Sequence, residues 1–106
     1  MELNLKNKRV LITGSSQGIG YVIAQHFLEE GANVILVGRN IENLKSSESE
    51  LIKQYGNDKV WSKPCDCSSS ESLQELHDAI KNKFGGIDIV IANIGDGRSV
   101  PDPIPD

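Results

Sequence analysis

Residues 13–20 read Thr-Gly-Ser-Ser-Gln-Gly-Ile-Gly, three glycines set between an apolar run (Val10, Leu11, Ile12) and an amphipathic one. Such a loop can bind phosphate. Gly14 can adopt positive φ and turn the chain sharply off a strand. Gly18 has no Cβ, so an anion can come close to the backbone. Gly20 lets a following helix pack near that strand. The first turn of the helix then points free N–H groups at the anion, and the helix dipole favours negative charge there. Ser15 and Ser16 add hydroxyl donors. No Gly-Lys-Ser/Thr follows at the spacing of a P-loop, so that class of nucleotide site is excluded.

Elements with the right order surround this loop. Lys8 to Gly14 forms a short β-rich run, and Ile19, Val22, Ile23 and Phe27 follow at helical spacing until Gly31. Val34–Val37 is a second strand, apolar without alternation, as in a parallel sheet covered on both faces. Asn40 is a plausible N-cap for a helix whose face is Ile41, Leu44, Leu51 and Tyr55, interrupted by Glu48. Lys59–Ser62 is a third strand. Ser68 and Glu71 have capping-box spacing, ahead of a helix with Leu73, Leu76, Ile80 and Phe84 on its buried face. Gly85 and Gly86 end it, and "IDIVIANIG" is a fourth strand. Strict alternation predicts an α/β fold, a doubly wound parallel sheet of order 3-2-1-4. Ligand would sit beyond the carboxyl ends of strands one and four.

The form Thr13-Gly14-x-x-x-Gly18-Ile19-Gly20 strongly resembles the cofactor loop of the short-chain dehydrogenase/reductase family. Asp66, in "CDCSSS", falls after strand three, where family members carry an Asp that contacts adenine; Cys67 is counted with it among the cofactor-binding residues. "ANIG" (Ala92 to Gly95) matches the family's Asn-Asn-Ala-Gly segment at Asn93 and Gly95 and departs at Ala92 and Ile94. The resemblance covers residues 6 to about 95. It implies a Rossmann-like domain over residues 1–95, with the Pro-rich residues 96–106 as an extended tail. It also implies a dinucleotide held by Gly14, Ser15, Ser16, Gly18, Ile19 and Gly20 at the pyrophosphate, with Asn93 and Gly95 along the ribose.

Members that bind NAD carry an acidic residue at the end of strand two, for the ribose 2′-hydroxyl. Here that place holds Gly38, followed by Arg39, whose guanidinium suits a 2′-phosphate. NADP(H) is therefore expected over NAD(H), although Gln17 is neutral where many NADP-binding relatives have a second basic residue. The family's chemistry, hydride transfer between a carbonyl or alcohol substrate and the nicotinamide, uses a Ser and a Tyr-x-x-x-Lys pair beyond strand four. The one formal match, Tyr55 to Lys59, encloses Gly-Asn-Asp, which is turn chemistry. No catalytic residue is assigned. The expectation is a cofactor-binding portion of an oxidoreductase, with strand four as an open edge that favours self-association into a homo-oligomer. A non-catalytic nucleotide-binding or oligomerising module is the alternative, and a domain for another nucleotide such as S-adenosylmethionine is a third reading.

The composition bounds the partners. In 106 residues the net charge is -4 with no dense basic patch, which argues against nucleic acid. At 38% apolar content there is no run long enough to span a membrane and no signal peptide. The two cysteines, Cys65 and Cys67, are too close for an ordinary mutual disulfide and too few to close a structural zinc site. Free thiols point to a cytoplasmic protein.

Overall fold

The computed structural model describes residues 5–14 and 18–92. Seven elements alternate: β1 (Arg9–Thr13), α1 (Gly18–Glu29), β2 (Asn33–Gly38), α2 (Ile41–Tyr55), β3 (Val60–Pro64), α3 (Ser70–Phe84) and β4 (Ile89–Ile91). The strands form one parallel sheet of order β3-β2-β1-β4, as the alternation predicts.

The apolar strands are buried because both faces of the sheet carry helices. Val10, Ile12, Val34, Leu36 and Val60 point to one side and meet Ala24 and Leu28 of α1 and Leu44 and Leu51 of α2. Leu11, Ile35 and Val37 point to the other and meet Cys65 with Leu76 and Ile80 of α3. Neighbouring strand residues thus belong to different cores, as the period of two demands. The face under α3 has the smaller core, and β4 is the last strand on its side among the described residues, with Val90 61% exposed.

Several local expectations shift. β3 runs Val60–Pro64, one residue later at its start and two at its end. In α1 the buried stripe is Gly20, Ala24 and Leu28, with Ile23 and Phe27 partly covered, while Ile19 and Val22 are exposed. Small residues at spacing four let the helix approach the sheet, and the bulkier pair is turned outward. Ile41 and Leu73 are likewise exposed at the first turns of α2 and α3, and Ser47 is buried where the apolar stripe of α2 breaks. Glu48 is held inward because its Oε1 accepts from the Ser62 hydroxyl at 2.8 Å.

The caps explain the helix limits. Asn40 accepts from the Asn43 amide at 2.9 Å at the start of α2. At α3 the cap is Ser69, one residue later than the spacing suggested, and it accepts from the Ser72 amide at 3.2 Å. Gly85 ends α3 in the left-handed region, its amide donating to the Lys81 carbonyl.

Candidate nucleotide site

The register brings the strand ends level. Val37 pairs with both Thr13 and Lys63, Gly38 with Pro64, and Ile91 with Ile12. The segments that leave these strands therefore emerge along one carboxyl edge: Gly14, Arg39, Cys65–Asp66 and Ala92. This edge also receives the amino end of α1.

Gly14 has φ 63° and Gly18 φ 66°, so the β1–α1 turn enters and leaves through two left-handed positions. A side chain at Gly18 would meet no atom within 4 Å, yet its backbone conformation is strained for any L-residue. No described atom lies beside that position, so the glycine is dictated by backbone shape. Ile19 beside it is 69% exposed, whereas Gly20 is buried, where it lets α1 lie close to the sheet. Ser15, Ser16, Asn93 and Gly95, with the 96–106 tail, lie outside the described residues.

Arg39 stands exposed directly after β2, and Cys65 donates its amide to the Gly38 carbonyl at 2.9 Å, which ties the end of β3 to the end of β2. Asp66 is fixed by an Asx turn: its Oδ1 accepts from the Ser68 hydroxyl at 2.6 Å and from the Ser68 amide at 3.0 Å. These bonds hold its carboxyl below the usual carboxylate range, and the positive charge of Arg39 pulls the same way. The Asp66 amide donates to the Ser72 hydroxyl at 3.2 Å. Ser68, expected as a helix cap, instead supports Asp66, and Ser72 is a supporting residue without a sequence expectation; the signal was the cluster of serines after "CDC". The Cys67 thiol is pushed up by loss of water around it, by Cys65 and by the Asp66 carboxylate, with Arg39 opposing. It is not a thiolate nucleophile at neutral pH.

Tyr55 and Lys59 lie at the other end of the sheet, between α2 and β3. The Tyr55 hydroxyl donates to Glu29 Oε2 at 3.1 Å and links α2 to α1. Burial and this acceptor raise its pKa, which does not suit a proton-transfer group. His26 and His77 are exposed on helices. No helix among the described residues is long and apolar enough to cross a membrane.

Known proteins share this arrangement. The chain is 41% identical over 86 residues to a chlorophyll(ide) b reductase of rice, a match covering 81% of this chain and 25% of that protein. It is 40% identical over 91 residues to an uncharacterised oxidoreductase of Staphylococcus aureus, covering 86% and 38%. Among solved structures, L-sorbose reductase from Gluconobacter frateurii, complexed with NADPH and L-sorbose, superposes with a TM-score of 0.84 at 34% identity, covering 92% of this chain and 37% of that one. An RhlG/NADP complex from Pseudomonas aeruginosa gives 0.77 at 33%, covering 85% and 35%. The chain thus spans between a quarter and two-fifths of the length of the relatives it matches here. The short chain dehydrogenase family model matches residues 8–103, and the chain belongs to that family.

Proposed function

We propose that the chain is the cofactor-binding part of an NADP(H)-preferring oxidoreductase that acts on a carbonyl or alcohol substrate. The observation that carries this reading is the pair of left-handed glycines, Gly14 and Gly18, at the mouth of α1 on the carboxyl edge. A Cβ at Gly18 would meet no described atom within 4 Å, and the free N–H groups of a helix's first turn suit linked phosphates. The groups available around it fit a dinucleotide. Gly14, Ser15, Ser16, Gly18, Ile19 and Gly20 would hold the pyrophosphate, Arg39 the 2′-phosphate, Asp66 and Cys67 the adenine, and Asn93 and Gly95 the ribose. The bound nicotinamide supplies or accepts the hydride, and the residues named here bind and orient it. Two structural relatives solved with NADPH or NADP support the cofactor class. The free thiols of Cys65 and Cys67 fit a cytoplasmic protein.

Calorimetric titration of the protein with NADPH, NADH and S-adenosylmethionine tests this. NADPH is expected to bind most tightly. Arg39→Glu, at an exposed position, should weaken NADPH by about 10- to 100-fold, the size of a lost charge-assisted bidentate contact, and leave NADH nearly unchanged. Tighter binding of NADH to the unaltered protein would overturn the Arg39 assignment, and preference for S-adenosylmethionine would overturn the cofactor class.

A further inference from the structure

A second concave region lies at the opposite, amino end of the strands. Its volume is about 410 Å³, and Arg9 and Asn33, at the starts of β1 and β2, and Lys59, just before β3, line it with Trp61, Lys83 and Phe84. Strands of five or six residues separate it from the glycine loop by roughly 15 Å.

Three features of this region point to a ligand. The first is an incompletely satisfied guanidinium. Arg9 Nη1 donates to the carbonyls of Phe84 at 3.0 Å and Gly86 at 3.1 Å, but its Nε is shut off from water and has no hydrogen-bond partner among the described residues. No carboxylate pairs with this guanidinium among the described residues; Asp88 instead accepts from the Arg9 backbone amide at 2.8 Å. A buried N–H without an acceptor is costly. The second is an aromatic wall. Trp61 and Phe84 meet edge to face with centroids 5.3 Å apart. The third is the placement of cations on that wall. The Arg9 guanidinium lies 4.7 Å from the Phe84 centroid, and the Lys83 ammonium lies 5.7 Å from Trp61 and 5.6 Å from Phe84.

Two acids also line the cavity, Glu48 and Asp58. Glu48 accepts from the Ser62 hydroxyl and pairs with Lys45 at 3.5 Å, and the two acids are outnumbered by the three cations of the lining, Arg9, Lys59 and Lys83. Aromatic rings flanked by positive charge suit a ligand with both a flat apolar body and a negative end. We propose that this amino-end cavity is a second binding site, separate from the nucleotide edge, and that it takes a small aromatic carboxylate. The carboxylate lies against Lys83 and the part of Arg9 that lines the cavity; the ring packs on Trp61 and Phe84.

Trp61 is the only tryptophan of the chain, so its fluorescence reports on this cavity. The protein is titrated with benzoate, with acetate and with benzamide. A saturable change with benzoate is expected, at least about tenfold weaker with acetate, which lacks the ring, and with benzamide, which lacks the charge. Lys83→Gln, at an exposed position, should weaken benzoate at least about threefold. Arg9→Lys keeps a charge but loses the guanidinium fork, and should weaken it more. NADPH affinity, followed in the same samples, should stay unchanged in both variants, which also reports that they fold. Equal responses to benzoate and acetate, or equal benzoate affinity in both variants and the unaltered protein, would overturn the proposal, as would the absence of any saturable benzoate response.

Discussion

At the amino end of the sheet, Arg9 reaches across to the end of α3 and Asp88 bonds back to the Arg9 backbone, so side chains lock three elements together. At the carboxyl end, the chain turns at two left-handed glycines, Ile19 and Arg39 stand in solvent, and the fixed group, Asp66, is held by its own loop. The difference shows how one set of parallel strands divides its work. Long-range side-chain contacts that hold the fold collect where the strands begin, and the groups proposed to receive the dinucleotide collect where they end. Parallel strands make this possible because every loop on the carboxyl edge follows a strand, and every loop on the amino edge follows a helix.

Substitutions at the two ends should therefore fail in different ways. The largest effect is expected from Gly18→Val. It forces a β-branched residue to φ 66° and places methyl groups at the helix end. NADPH affinity by calorimetry should fall by about 10- to 100-fold, with about 1–3 kcal/mol lost from stability in urea unfolding. Arg9→Met should show the reverse pattern. The carbonyls of Phe84, at the end of α3, and of Gly86 just past it lose their donor, stability should fall by about 1–3 kcal/mol, and NADPH affinity should hold. A loss of both properties in each variant would erase the distinction between the ends.

The smallest effect concerns pH. Asp66 has a lowered pKa in the folded protein because Ser68 bonds favour the charged form. Its contribution to stability is therefore present above the ordinary carboxylate value, roughly 3.9, and is lost as pH falls through the lower folded value. Ser68→Ala should raise the Asp66 pKa in an NMR titration of its carboxyl carbon. An unmoved value would show that the Asx turn is not the cause.

The two ends also differ in how far they could be read from sequence. β1 and β2 were legible because burial on both faces leaves unbroken apolar runs such as Val34–Val37, and the turn at Gly14 because its constraint is local; β4, expected across "IDIVIANIG", is a strand only over Ile89–Ile91 among the described residues. The inward face of α1 was misread at Ile19 and Val22, because hydrophobicity marks burial less well than the small residues Gly20 and Ala24 where a helix lies close to a sheet. The amino end was not legible at all. Arg9 meets its partners 75 to 79 positions away, and no local spacing announces a contact of that range. Cys67 illustrates a further limit. The sequence reads it only as a free thiol near the cofactor, and only the surroundings show what raises its pKa.

The central claim is that the dinucleotide phosphates rest at the mouth of α1. Backbone amide shifts recorded by NMR during an NADPH titration test it most directly. The account predicts the largest changes at Gly14, Gly18, Ile19 and Gly20, with smaller ones at Arg39 and Asp66, and little change at Arg9, Trp61 and Lys83. Changes centred on Arg9, Trp61 and Lys83, with Gly14 and Gly18 unmoved, would contradict it.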